Sequence, residues 1–387
     1  MSRPARRRRL LLLSEPYPPR HPGGAGNYTR TLARGLAARG HEVHVVASDP
    51  ALEEASRDGR VRVHRRRLVE RGWNAEAFEE RRRQVLPFVR DLHRRHGFDL
   101  VHDVGGFLYA DVLRGFLAEA GIPGVTHLLI LMGPYLAASG MPSFAVRLFH
   151  DLQALQCGVS SAVITTSSAE QNYYRQAFLP LAPDALVLNG TEPREADPER
   201  VLHWRRLISP DGAIVLFMGG RLGDRVKGGD RACALASALW QRGLPVRLVG
   251  TDLRASETPA AIRGAIRSLG RLSEPDFLAL LKAVDVVLCP SRYEAFGLLA
   301  VEAAAQGTTV FASAVGGHLD TIPRLGGHLL VDDAWERPGP ELVELIAGLA
   351  GRWEPRPSRV LPEELTAAGA VNRIDALHGE LLARAAS

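Results

Sequence analysis

The sequence predicts an α/β protein made of two doubly wound domains in tandem. Three observations lead there. The chain has 387 residues, too long for most single domains and enough for two of about 150 to 200 residues each. It opens with a strand–loop–helix–strand pattern, the start of a parallel sheet with helices on its faces. After residue 212 the same pattern begins again.

The elements follow in order. Residues 10–14 read as a short buried strand. A Pro/Gly-rich loop runs over 16–26. Asn27 is then expected to cap a helix on which Tyr28, Leu32 and Leu36 recur every four residues. Gly40 stops that helix, and 42–47 form the next strand. Residues 99–102, 125–132 and 162–166 supply further strands. Apolar density falls over 189–212, as in a linker. The restart gives strands at 213–218, 245–249, 284–289 and 309–312. Helices are expected at 230–241, 274–283 and 299–306, the last closed by Gly307. A bend at Pro355, Pro357 and Pro362 leads into a final helix. The expected domains are therefore 1–190 and 191–362, with 363–387 packing back on the first. Ligands in such sheets bind beyond the carboxyl ends of the strands, so a cleft between the domains is the expected site.

Composition is that of a soluble globular protein, and no apolar run approaches the ~20 residues that span a bilayer. Arg6 to Arg9 followed by Leu10 to Leu13 imitates a signal peptide. Ser14, Glu15 and Pro16 cut the apolar stretch short, so it reads as a basic lead-in to a strand. The three cysteines, Cys157, Cys233 and Cys289, suggest neither a disulfide framework nor a metal cluster, and fit a reducing cytoplasm. Residues 1–190 carry 25 arginines against 18 carboxylates, and the excess reads as a solvated surface. Over 60–96, Phe78, Val85, Val89 and Leu92 could line a membrane-facing stripe, interrupted by Pro87. An ordinary amphipathic surface helix is the preferred reading. No reading helix or interleaved aromatics accompany the arginines, so nucleic acid is not an expected partner.

The chemistry concentrates between Pro290 and Glu302. This stretch follows a buried strand and runs into a helix. The amides around Phe296, Gly297 and Leu298 would be unpaired donors of the helix's first turn, suited to a diphosphate. Gly297 lets an anion approach the backbone. Glu294 and Glu302 are carboxylates, which suit sugar and ribose hydroxyls because each offers two acceptor oxygens. A second unit, residues 219–228, carries Arg221 and Lys227 after the first strand of the second domain. Such a pair can neutralise a leaving diphosphate. The only lysines are Lys227 and Lys282, so an arginine-using chain has kept a compact ammonium at 227. The loop with Gly23, Gly24 and Gly26 is not GxGxxG, but it allows close backbone approach to a phosphate or an acceptor.

With Glu294 and Glu302 separated by seven residues, nearly the whole chain resembles the family-4 (group 1) glycosyltransferases of the GT-B fold, two Rossmann-like domains facing across a cleft. The resemblance implies transfer of a sugar from a nucleoside-diphosphate sugar with retention of configuration and without a metal or other cofactor. It implies that Glu294 contacts the donor sugar and Glu302 the ribose. Arg221, Lys227 and the Phe296–Leu298 amides would hold the diphosphate. The backbone around Leu272 would read the nucleobase, and the first-domain glycine loop would face the diphosphate and a small-molecule or glycan acceptor. Many members place a histidine near the end of the strand expected over 125–132. Here Met132 aligns with it, so His127, five residues earlier, is the candidate catalytic histidine and His102 another. A nucleotide-sugar epimerase of the same fold and an inactive donor-binding subunit are the rivals.

Overall fold

In a computed structural model of the chain, the described residues are 7–14, 16–19, 24–49, 53–67, 75–105, 110–178, 182–192, 194–253, 259–349 and 353–387. They form two compact units. The first comprises Met1–Gly133, Ser143–Gly190 and Ala367–Ser387; the second comprises Pro134–Pro142 and Thr191–Thr366.

The first unit starts with β1 (Arg9–Ser14), α1 (Gly24–Ala38), β2 (Glu42–Ser48), β3 (Glu54–Asp58), β4 (Val61–Arg66), α2 (Ala75–His96) and β5 (Leu100–Val104). It continues with α3 (Ala110–Ala120), β6 (Gly124–Leu128), α4 (Met132–Ala138), α5 (Ser143–Gly158), β7 (Ala162–Thr165), α6 (Ser168–Ala177) and β8 (Asp184–Leu186). The sheet order is β3-β4-β2-β1-β5-β6-β7-β8. Among the described strands of this sheet only the β3–β4 pair is antiparallel. Leu10 to Leu13 are all fully buried because β1 lies between β2 and β5, with helices on both faces.

Three local expectations change here. The first helix begins at Gly24, so Asn27 lies inside it rather than capping it. Thr29 anchors the opening turn, donating to the Ala25 carbonyl at 2.9 Å and lying 3.0 Å from the Ser14 hydroxyl. The strand expected over 125–132 ends at Leu128. Beyond it Gln153 satisfies the loop backbone, donating to the Ile130 carbonyl at 2.7 Å and accepting from the Met132 amide at 2.9 Å. The Arg-rich stretch holds β4, where Val61 and Val63 point inward between outward basic residues, and the long α2. That helix continues through Pro87. Its Val85, Val89 and Leu92 pack with Phe98 and Phe116, so this stripe faces the core. The Phe78 side chain lies outside the described residues. Among the described residues no helix is long and apolar enough to cross a membrane.

The second unit contains α7 (Pro198–Ile208), β9 (Ile214–Met218), α8 (Gly229–Gln241), β10 (Val246–Gly250), β11 (Ile266–Ser268), α9 (Glu274–Ala283) and β12 (Val286–Cys289). It closes with α10 (Leu298–Ala305), β13 (Thr309–Ser313), α11 (His318–Leu325), β14 (His328–Leu330), α12 (Asp332–Glu336) and α13 (Pro340–Ala347). Its sheet is wholly parallel, in the order β11-β10-β9-β12-β13-β14. The stretch expected as linker carries α7, because Asp197 accepts from the amides of Glu199 (2.8 Å) and Arg200 (3.1 Å) and Pro198 starts the helix. Last comes α14 (Ala367–Ala386), in the first unit. It packs so closely on α1 that a Cβ at Gly35 would lie 2.6 Å from Val371. His41 and Asp375 add a 2.9 Å contact.

Candidate functional site

The second sheet reverses its winding between β9 and β12, the switch point where ligands of such sheets bind. Loops leaving the carboxyl ends of β9, β12 and β13 meet there. Arg292 joins the first two. Its amide donates to the Val226 carbonyl at 2.8 Å, and its guanidinium donates to both Asp230 carboxylate oxygens at 2.8 and 2.7 Å. The third loop joins through Gly317, whose amide donates to the Glu294 carbonyl at 2.9 Å. Gly316 is required beside it: its φ is +50°, and a Cβ would sit 1.8 Å from that carbonyl oxygen.

The junction brings Lys227 and Glu294 together, Nζ to Oε2 at 2.9 Å. Ser291 donates to the same carboxylate oxygen at 3.2 Å. Burial opposes ionisation of Glu294, but Lys227, His318 and Ser291 outweigh it and hold its pKa below the usual glutamate value. The carboxylate in turn raises the pKa of Lys227. Both are charged at neutral pH.

Next to this pair, Gly297 adopts φ +92° and opens α10 with no side-chain cap. The amides of Leu298, Leu299 and Ala300 have no partner among the described residues. Among the described residues the amides of Phe296 and Gly297 also show no partner, so the donors expected at 296–298 continue two residues into the helix. Phe296 lies before the helix with its ring buried. Unpaired amides at a helix start attract anions.

Glu302 lies in the second turn of α10, half-buried. Burial first, and then the charge of Glu274, raise its pKa to about 7. Glu274 opens α9, directly after the segment holding Leu272, which is itself half-buried. A carboxylate for a diol and a backbone segment for a base therefore belong to neighbouring parts of one unit. Arg221 is exposed, and its guanidinium forms no ion pair among the described residues.

His127 sits elsewhere, in the first unit. It is fully buried, its ring 5.3 Å from Tyr28 and 5.5 Å from His102, and among the described residues neither ring nitrogen has a partner. As placed, its side chain offers no surface to a ligand. His102 is equally buried and lies 3.1 Å from His378 of α14, Nδ1 to Nε2. Met132 begins α4 and is buried. Gly24 and Gly26 form the first turn of α1, while Gly23 lies outside the described residues.

Sequence reasoning missed His318 and Ser291. His318 is fully buried; its Nδ1 lies 3.0 Å from the Ser313 carbonyl, and its Nε2 has no partner among the described residues. A Cβ at Gly297 would lie 2.6 Å from its ring. The available signal was Gly316-Gly317 between a strand and a helix, the same punctuation that marks the other two loops.

Comparison with known proteins identifies the family. Residues 22–195 match the sequence model of Glycosyltransferase Family 4, and residues 202–337 match that of Glycosyl transferases group 1. The chain belongs to the group 1 glycosyltransferases of the GT-B fold. An uncharacterised glycosyltransferase of Methanocaldococcus jannaschii is 27% identical over 340 residues, covering 81% of this chain and 82% of that one. Sucrose-phosphate synthase from Thermosynechococcus elongatus superposes with a TM-score of 0.72 at 21% identity, over 98% of this chain and 100% of that one. Anabaena HepE in complex with UDP-glucose gives a TM-score of 0.62 at 18% identity, over 98% of each chain.

Proposed function

We propose that this chain transfers a sugar from a nucleoside-diphosphate sugar to a nucleophilic acceptor, such as a small specialised metabolite, with retention of anomeric configuration and without a catalytic metal. The observation that carries the reading is the Lys227–Glu294 ion pair beside the uncapped start of α10. Cation and free amides together suit a diphosphate, and the carboxylate beside them suits sugar hydroxyls. As the glycosidic bond breaks, charge grows on the diphosphate, and fixed donors stabilise it without reorganising. Lys227, Arg221 and the α10 amides take that role. Glu294 orients the sugar, and Glu302 accepts from the ribose diol. Uridine is the first base to test, because a protein of the same fold binds UDP-glucose. Three buried free thiols suit the reducing cytoplasm as the working compartment.

Calorimetry with UDP, GDP and ADP, followed by transfer assays with the matching sugar donors, tests the reading. One nucleotide is expected to bind in preference, and the product's anomeric configuration, read by NMR, should match the donor's. Absence of binding by all three, or a donor turned over equally well by Glu294→Gln, would overturn it.

A further inference from the structure

We propose that Glu42, His44 and His96 form a site for a divalent transition metal, zinc by preference, in the first unit. The proposal is independent of the sugar-transfer reading. The three side chains each offer one ligand atom, all within 4.8 Å of one another. A single cationic nitrogen already lies among them. Arg62 Nη1 is 2.9 Å from Glu42 Oε1, 3.3 Å from His44 Nε2 and 3.4 Å from His96 Nδ1. Three potential ligand atoms gathered around one cationic nitrogen are the arrangement a metal needs.

His44 Nδ1 lies 3.0 Å from His64 Nε2, which leaves Nε2 to face Glu42 and Arg62. His64 thus orients His44 as an outer partner orients a metal-binding imidazole. The 3.3 Å between His44 Nε2 and Glu42 Oε1 matches the edge of a tetrahedron with bonds of about 2.0 Å. His96 is the last residue of α2, where the helix's terminal carbonyls favour positive charge.

Two histidines and one carboxylate suit zinc, with water completing the tetrahedron. The Arg62 side chain is 38% exposed and can leave toward solvent. Glu42 opens β2 and Arg62 is the second residue of β4, so the site lies at the amino ends of these parallel strands. Ligands of such sheets bind at the other end. The metal would therefore act as a clip between β2 and the end of α2.

The test uses full-length protein stripped with a chelator and titrated with ZnCl2 by calorimetry, and with CoCl2 by visible absorption. One equivalent should bind more tightly than about 10 µM. It should raise the melting temperature, and cobalt should give the intense bands of tetrahedral coordination. His44→Ala, Glu42→Gln and His96→Gln should each weaken binding roughly tenfold or more. Arg62→Ala retains every ligand and removes the competing cation, so it should bind zinc more tightly than the natural protein. The proposal fails if no saturable equivalent binds. It fails if the ligand variants bind as the natural protein does, which would place the metal on other histidines. It also fails if Arg62→Ala binds zinc more weakly or unchanged.

Discussion

The ammonium of Lys227 and the carboxylate of Glu294 neutralise one another at 2.9 Å, each carried by a loop from one of two adjacent strands. On the proposed reading both groups have a second partner when donor binds. Lys227 offers its remaining N–H donors to the diphosphate, and Glu294 keeps its other oxygen for the sugar.

Removing one member of the pair should therefore have opposite effects on binding and on turnover. Glu294→Gln keeps the shape and frees Lys227, so nucleoside diphosphate alone should bind as well or better while kcat falls. Lys227→Ala should weaken diphosphate binding by roughly ten- to a hundredfold, the worth of a charge-assisted bond of about 1.5–3 kcal/mol. Calorimetry and initial rates separate the two. If Glu294→Gln loses nucleotide affinity while Lys227→Ala keeps it, the roles are reversed.

Glu302 makes nucleotide binding depend on pH. Its pKa of about 7 means that a carboxylate suited to a diol is half protonated at neutrality. Binding to ribose hydroxyls favours the ionised form, so affinity should rise between pH 6 and 8 with release of a proton. Glu302→Gln should flatten this profile and weaken binding. Its effect on the empty protein has the other sign. A carboxyl whose folded pKa is raised stabilises the fold below its unfolded value and loses that contribution as pH rises through about 7. Glu302→Gln should then melt higher than the natural protein at pH 8. A binding profile unchanged in the variant would remove Glu302 from the site.

Gly297 and His318 limit what the start of α10 tolerates. Gly297→Ala must hold φ +92° and place a Cβ 2.6 Å from the imidazole. Backbone strain alone costs about 1–3 kcal/mol. Gly297→Ala should lower the melting temperature and abolish diphosphate binding. Adding His318→Ala removes the clash but not the strained φ, so the double variant should recover part of the stability, read by denaturant unfolding. Simple additivity of the two losses would mean that the imidazole is not what the new methyl meets.

The first unit should be sensitive to mild acid. Burial lowers the pKa of His102 to about 3 and those of His127 and His378 further below the ordinary value than most. Their folded values lie under the unfolded 6.5, so the stability they contribute is present above pH 6.5 and is lost as pH falls below it. Three such groups can remove up to about 4 kcal/mol per pH unit. Melting temperature should drop steeply between pH 6.5 and 5, and less steeply in His127→Leu. An unchanged slope in that variant would show that the imidazole titrates normally.

Much of the parallel-sheet architecture was legible because buried parallel strands are continuous apolar runs, as at Leu10–Leu13, and Gly closes helices, as at Gly40 and Gly307. The errors fell where tertiary context overrode local pattern. The apolar run after Leu128 looked like more strand, yet Gln153, from a distant helix, satisfies it as a loop. Asp197-Pro198 is a helix-start signal that the surrounding charge concealed. In the candidate site, Glu294, Glu302 and Lys227 stood out through residue type and spacing. His318 did not, because its proximity to Gly297 comes from a separate loop that only the folded sheet brings near. The Glu42–His44–His96 group was invisible for the same reason: His96 lies 54 positions after Glu42 and meets β2 only because β1 pairs with both β2 and β5, the strand that follows α2.

The position of α14 in the first unit has a topological consequence. The chain enters that unit, leaves it, and supplies its last helix only after the second unit is complete. Residues 1–190 by themselves would leave uncovered the surface of α1 that Val371 meets, and would leave His102 without His378. The second unit is thus an insertion within the first. Residues 367–387 must be made before the first unit can close, whereas the sheet of the second can assemble while that helix is still being made.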